Sequence, residues 1–392
     1  MSGSKFCHKT PYNQSLNGGG EVLVPFYQNI RSAIFNKRFQ VAKGMAMIFE
    51  RNIFALNADY WIIMRTFLTL SATVAACAVA LAGQQVLAQQ AEDDEAPILR
   101  LLSYNINGLP KTLTKGKKPL FDRIAEILRE RRIAGNQPQV VLLQEAFDKR
   151  TSVIADTTGY KYVYKGPGRR DTSRKGRAHW AQATRKTYAL RPDPQKIAGS
   201  GLYILSDFPI VDARYKAFDS DECAGFDCLS NKAIQFARLE TPFADQPIDI
   251  VNSHFNSRNS AKAPGRIVLK AHRKQTDLLV KMLGAFRQGY PVVIAGDFNT
   301  SQDKRYAYFS ESVNLTDAGQ VCLTNRAMCV LADGTKEDEI LFRTNDKQFY
   351  GDSDRVRLHP IWAARNFTET LNGKPLSDHL GYEVHYRVIT DD

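Results

Sequence analysis

Five short segments of this 392-residue chain close an apolar run with a carboxylate, an amide or an imidazole. They are Asn105 and Asn107 after Leu101-Leu102-Ser103-Tyr104, Glu145 after Val141-Leu142-Leu143-Gln144, His254 with Asn256, Asp297 with Asn299, and Asp378 with His379. Taken alone, each reads as an ordinary turn cap or a solvated strand end. Taken together, they supply hard oxygen ligands of the kind Mg2+ prefers and two imidazoles able to move protons.

Such residues need a rigid frame. Apolar runs at 99–104, 140–143, 201–205, 248–251 and 292–295 are short and often continuous, the pattern of strands buried on both faces. Pro119 followed by Leu120, Ile124, Ile127 and Leu128, with Asp122 and Glu126 early and Arg129 to Arg132 late, reads as an amphipathic helix. A second helix is expected over 267–286, with Leu278, Leu279, Met282 and Leu283 toward the sheet. Strands alternating with helices, and polar residues at strand ends, place an active site at one rim of a layered α/β domain. No long Pro- or Gly-rich linker interrupts 98–392, so that region is expected to be one catalytic domain.

Four segments, in order, resemble the signature motifs of the endonuclease/exonuclease/phosphatase superfamily. They are Ser103-Tyr104-Asn105-Ile106-Asn107-Gly108-Leu109, Leu143-Gln144-Glu145, Gly296-Asp297-Phe298-Asn299 and Ser377-Asp378-His379. The resemblance implies a four-layered α/β sandwich of the deoxyribonuclease-I type, two packed mixed β-sheets flanked by helices. Within the superfamily the chain looks most like the neutral and bacterial sphingomyelinases. Gln144-Glu145-Ala146-Phe147-Asp148, the block from Gly201 to Ile210 followed by Ser230-Asn231-Lys232-Ala233, and Ser253-His254-Phe255-Asn256 carry that likeness.

Carried over residue by residue, the resemblance implies a metal site of Glu145 with Asn105 and Asp378, holding Mg2+ with Mn2+ or Co2+ as substitutes. His379 would deprotonate the attacking water, oriented by Asp338 in Asp338-Glu339-Ile340-Leu341-Phe342. Asp297, Asn299 and Asn256 would position water and phosphate, and His254 would act as electrophile or acid. Glu339 departs from the aromatic residue usual after that aspartate, and Asn107 replaces an aspartate common in repair endonucleases, which leaves a second metal there in doubt. The implied activity is a sphingomyelinase-like phospholipase C on a phospholipid phosphodiester, with transient membrane-surface contact; the alternative is a secreted Mg2+-dependent nuclease. No strongly apolar hairpin of the kind bacterial sphingomyelinases insert into membranes precedes Ser377. A monomer is expected.

With 43% hydrophobic and 24% charged residues the chain is not disordered. Met64-Arg65-Thr66, the apolar run from Phe67 to Leu81 and the small-residue end near Ala88 have the layout of a secretory signal. The expected division is therefore 1–63 as a non-native upstream extension, 64–88 as signal peptide, 89–97 as acidic linker and 98–392 as catalytic domain. A membrane anchor over 61–82 and a lipoprotein modified at Cys77 are the competing readings. Residues 1–88 hold 8 Lys/Arg and 3 Asp/Glu, so their removal lowers the formal charge from +12 to +7, still favouring anionic partners.

The four remaining cysteines form two close pairs, Cys223 with Cys228 and Cys322 with Cys329, which suit loop-stapling disulfides of an exported protein better than a zinc site. The stretch 166–186 carries seven Lys/Arg and reads either as a solvated loop or as a phosphate-contacting flap. Four histidines outside the motifs, His179, His272, His359 and His385, are expected to serve packing or surface roles. Core packing is likewise expected of Trp180 and Trp362, with an interfacial grip on a membrane as the alternative.

Overall fold

A computed structural model describes residues 95–111, 114–171, 196–336 and 344–391. The expected extension, signal segment and Cys77 lie outside these residues, as do most of the acidic linker, Asp338, His179 and Trp180.

In chain order the first eight strands are β1 (Ile98–Asn105), β2 (Val140–Gln144), β3 (Tyr162–Lys165), β4 (Tyr203–Ser206), β5 (Ile210–Ala217), β6 (Ala233–Leu239), β7 (Ile248–His254) and β8 (Val292–Asp297). The remainder are β9 (Thr316–Asp317), β10 (Val330–Leu331), β11 (Asp346–Gly351), β12 (Val356–Asn366), β13 (Thr370–Leu371), β14 (Lys374–Pro375) and β15 (Gly381–Thr390). The α-helices are α1 (Lys118–Ile133), α2 (Ser152–Thr157), α3 (Gly265–Phe286), α4 (Asp303–Val313) and α5 (Ala318–Thr324).

Two mixed sheets result, a seven-stranded one ordered β10-β12-β15-β1-β2-β4-β3 and a six-stranded one ordered β5-β6-β7-β8-β11-β9. Alternation along the strands decides the layering. In β1, Leu99 and Leu101 point inward and join Val140, Leu142, Ile250, Val293, Ala295 and Val384 in the core between the sheets. Leu102 and Tyr104 of the same strand point outward and pack with Phe121, Ile124 and Leu128 of α1. The outer face of the second sheet, with Phe236, Val251 and Ile294, is covered by Leu279, Leu283 and Phe286 of α3 and by Phe309 of α4. The order is helix, sheet, sheet, helix, the expected four-layered sandwich.

Besides the short parallel bridge of β10 with β12 at one edge, each sheet has one central parallel pair, β1 with β2 and β7 with β8. Parallel neighbours need a long crossover, and α1 and α3 provide it. Both pairs end at the same rim. There a buried amide network ties the sheets together: Asn252 Nδ2 donates to Leu143 O at 3.1 Å and Tyr203 O at 3.0 Å, and Gln144 Nε2 donates to Asn252 Oδ1 at 2.8 Å. Both expected disulfides are present, Cys223–Cys228 and Cys322–Cys329. Among the described residues no helix is long and apolar enough to cross a membrane.

Candidate active site

The rim gathers side chains from the ends of six segments. Asn105 closes β1, Glu145 follows β2, His254 closes β7 and Asp297 closes β8. Asp346 opens β11, which runs antiparallel to β8 and sets Asp346 opposite Asp297, while parallel register sets His254 opposite Asp297 from the other side. His379 comes from the turn before β15. Three positions here, Asn107 (φ 48°), Glu145 (φ 56°) and Asn299 (φ 53°), adopt the left-handed backbone that ordinary residues avoid. Such strain persists where surrounding structure enforces it, and it is concentrated here at the strand ends that aim the side chains. Gly296 is required on different grounds: with φ 153° it lies against β7, and a Cβ would collide with the Ser253 carbonyl.

The centre is a chain of polar contacts. Asn105 Nδ2 donates to Asp297 Oδ2 at 2.9 Å and to Glu145 Oε1 at 3.1 Å, so one amide clamps two acids. Its Oδ1 accepts from Asn107 N at 3.0 Å. On one side His379 Nδ1 lies 2.9 Å from Asp346 Oδ2, with its Nε2 3.7 Å from Asp297 Oδ2. On the other side His254 Nε2 lies 3.5 Å from Asp297 Oδ2 and 3.9 Å from Glu145 Oε1. Lys232 Nζ reaches His254 Nε2 at 2.9 Å, donates to Phe255 O at 3.1 Å and is ion-paired with Asp227. Asp227 is held in turn by Ser257, whose backbone N donates to Asp227 Oδ2 at 3.0 Å.

Electrostatics assign the two histidines opposite states. Burial pulls the His379 imidazole down, but the Asp346 and Asp297 carboxylates outweigh it and bring its pKa up to about 10. His254 is driven well below the usual histidine range by burial and then by the cationic Lys232 and His379, so it is neutral. With Lys232 donating to Nε2, that nitrogen is an acceptor. As an acceptor, it has no proton of its own to give. Burial raises the carboxyls of Glu145 and Asp297 against the opposing pull of Lys232. Asp346 is lowered in spite of burial, because His379 and Arg365 favour its charge.

Glu145, His254 and Asp297 offer ligand atoms that all lie within 4.8 Å of one another, as do Asp297, Asp346 and His379. The first set fits a divalent cation. Two desolvated carboxylates face each other there, clamped by a neutral amide, and a hard cation between them would offset the charge that burial disfavours. The second set holds an imidazole against a buried carboxylate, an arrangement able to orient a base. Asn105 presents its NH2 to the acids, so as placed it is a donor that aligns them, and the ligand role expected of it needs the opposite amide orientation. Asp378 is exposed and belongs to neither set.

Six expected residues thus converge: Asn105, Glu145, His254, Asp297, Asn299 and His379. Asn299 donates through Nδ2 to Phe255 O at 3.1 Å, and its backbone N donates to Asp297 Oδ1 at 3.1 Å, which fixes the aspartate's rotamer. Asn256 is committed to the framework instead, accepting from Ala224 N at 2.8 Å and donating to Ser257 O at 3.0 Å. The carboxylate on His379 is Asp346, eight positions beyond Asp338. Nothing in the chain order marks Asp346, because Asn345-Asp346-Lys347 reads as a surface turn. Lys232 stands within the Ser230-Asn231-Lys232-Ala233 block and Asp227 between two cysteines, but neither neighbourhood by itself signals a buried ion pair. Of the other described histidines, His272 is buried against Phe298 O at 2.9 Å, and His385 pairs with Glu383 at 2.8 Å and stacks on Trp362.

The family described as Endonuclease/Exonuclease/phosphatase matches residues 102–317, more than half of the chain. No curated protein matches the sequence. Among solved structures, a mutant beta toxin from Staphylococcus aureus with bound magnesium ions superposes with a TM-score of 0.53 at 17% identity, over 74% of this chain and 99% of that one. Sphingomyelinase C from Streptomyces griseocarneus gives a TM-score of 0.50 at 21% identity, over 74% and 99%. An endonuclease/exonuclease/phosphatase protein from Bacteroides vulgatus gives 0.50 at 15% identity, over 75% and 100%. At these identities the likeness is one of fold.

Proposed function

Because this chain belongs to the endonuclease/exonuclease/phosphatase family and is with it a hydrolase of phosphoric diesters, we propose that it is an exported, Mg2+-dependent phospholipase C of the sphingomyelinase type. The carrying observation is the line Asp346, His379, Asp297, with Glu145 and the Lys232–His254 pair on the far side. A phosphodiester placed against Asp297 would have a base on one flank and a proton source on the other.

In this reading His379, kept protonated by the carboxylates until a divalent cation held by Glu145 and Asp297 offsets their charge, is freed to take a proton from the water that attacks phosphorus, with Asp346 holding the ring in place and stabilising the imidazolium formed. The new P–O bond replaces the ester bond to the lipid alcohol. That oxygen leaves on the side of Lys232 and His254, where Lys232, ion-paired with Asp227, can donate a proton to it. Glu145 and Asp297 would hold the divalent ion, whose contribution is to neutralise charge on a nonbridging phosphate oxygen. Asn105 and Asn299 keep both acids aligned.

Support for a lipid substrate comes from the shared fold of beta toxin and sphingomyelinase C and from the Asn231-Lys232 segment. Support for export comes from the signal-like run at 64–88 and from two disulfides, which persist in oxidising compartments. The second reading, a secreted nuclease, draws on the +7 charge of 89–392. Purified protein offered sphingomyelin vesicles and plasmid DNA, each with Mg2+ or with chelator, separates the two. Phosphocholine release that needs the metal is expected; nicking of plasmid with no lipid product would replace this reading by the nuclease.

A further inference from the structure

Phe226 stands 64% exposed on the 3-10 turn Gly225–Leu229. It is held there. The turn is stapled by Cys223–Cys228, Ala224 N donates to Asn256 Oδ1 at 2.8 Å, and Phe226 N donates to Ala261 O at 2.9 Å. Gly225, with φ 63°, lies so close to Ala261 that a Cβ would collide with its carbonyl. Below the turn, Ala224, Ala261, Val268 and Ala271 already fill a small core, which leaves no room for the ring to fold inward. A single exposed phenylalanine is ordinary, but one held rigid beside other exposed apolar side chains marks a contact surface.

Its neighbours extend the apolar face. Ile267, 47% exposed, lies in the first turn of α3 just beyond Ala263, which itself borders Gly225. Ile197, 57% exposed, is bonded through its backbone N to Leu229 O at 2.7 Å. The cations Arg258, Lys262 and Arg266 are exposed beside them. The nearby acids are engaged elsewhere: Asp219 with Lys216, Asp221 with Lys274 and Asp227 with Lys232. Arg258 also borders a cavity of about 550 Å3 shared with Lys304, Arg305 and Asp303, a space large enough for a lipid headgroup.

We infer that Phe226, Ile267 and Ile197, ringed by Arg258, Lys262 and Arg266, form a docking face for an anionic phospholipid bilayer. This rests on the phospholipase reading. An aromatic tip among aliphatic side chains enters the acyl boundary, and the basic ring meets the phosphate layer, as in peripheral binding where apolar and electrostatic contributions add. A nucleic acid would make use of the cations but not of two isoleucines. Position supports the assignment. Asp227, the residue after Phe226, reaches inward to Lys232, so the docking face and the catalytic centre share one turn.

The test is co-sedimentation of the full chain with phosphatidylcholine vesicles with and without phosphatidylserine, in parallel with hydrolysis of sphingomyelin in vesicles and of the soluble diester bis(p-nitrophenyl) phosphate. Phe226→Ser and Ile267→Ser are each expected to weaken vesicle binding and vesicle hydrolysis about tenfold, the scale of losing one buried apolar side chain. Lys262→Glu with Arg266→Glu is expected to abolish the preference for phosphatidylserine. Hydrolysis of the soluble diester is expected to be unchanged in all variants. Vesicle binding by Phe226→Ser equal to wild type overturns the inference, as does plasmid binding lost in the charge variant when no vesicle binding is seen. Phe226-dependent vesicle binding with no lipid hydrolysed would leave the docking face standing and overturn the phospholipase reading alone.

Discussion

Asp346 Oδ2 sits 2.9 Å from His379 Nδ1, and this contact, between residues 33 positions apart, orients the imidazole and leads the interactions that raise its pKa. Replacing Asp346 with Asn should lower the His379 pKa from about 10, since a carboxylate that favours the imidazolium is removed. The acidic limb of the rate profile should then move to lower pH, with kcat down roughly 10- to 1000-fold. Histidine NMR titration together with kcat against pH checks both effects.

The same shift has a stability consequence in protein stripped of metal. The folded pKa of His379, about 10, lies above the unfolded histidine value of about 6.5, so the pair stabilises fully below the latter and loses that contribution as pH rises through the former. Denaturant midpoints of wild type and His379→Asn, measured in chelator, should differ most near pH 6 and converge above pH 10. Adding Mg2+ near Glu145 and Asp297 should lower the His379 pKa, because a nearby cation disfavours a second positive charge.

Glu145→Gln keeps the shape and removes the charge. Metal affinity measured by calorimetry should fall at least about tenfold, and turnover should nearly vanish, since the carboxylate is the anchor expected to hold the cation. Excess Mg2+ should restore only part of the activity. Unchanged metal affinity would remove Glu145 from the ligand set.

Lys232→Met removes the cation that lies 2.9 Å from His254 Nε2. The His254 pKa should rise, because one of the charges that depress it is gone. Hydrolysis should slow most for substrates with poor leaving groups, where proton donation matters, and least for p-nitrophenyl esters. Equal loss on both substrates would show that Lys232 only supports the local structure.

Opening the Cys223–Cys228 staple should cost about 2 kcal/mol through the short loop it closes. Cys223→Ser with Cys228→Ser should therefore lower the denaturation midpoint and, through Asp227 in the same turn, reduce activity as well. Cys322 and Cys329 pack in the core between the sheets and touch none of the site residues named above, so loss of this pair should affect stability with little change in kcat.

Much of this protein was legible in one dimension. Continuous apolar runs define strands buried on both faces, because a strand between a helix layer and a second sheet has no wet side. The helices at 118–133 and 265–286 followed from their apolar spacing. The motif residues Asn105, Glu145, His254, Asp297 and His379 were found because each ends a strand or a turn, where local sequence fixes its place. The cysteine pairs were legible because so few residues separate them.

What the chain order could not reveal were partnerships between distant segments. Asp346 is indistinguishable from any turn aspartate until antiparallel register with β8 sets it opposite Asp297. Lys232 resembles a surface lysine until β6 and β7 pair and bring it to His254. The surroundings of Asn256 and Asp378 were hidden for the same reason: residue type gives the capacity for a contact, but packing decides that the Asn256 amide meets backbone groups and that Asp378 is exposed. Two sheets had to close on each other before any of these charges acquired its neighbours, and in the low-dielectric rim so formed it is neighbours that set protonation.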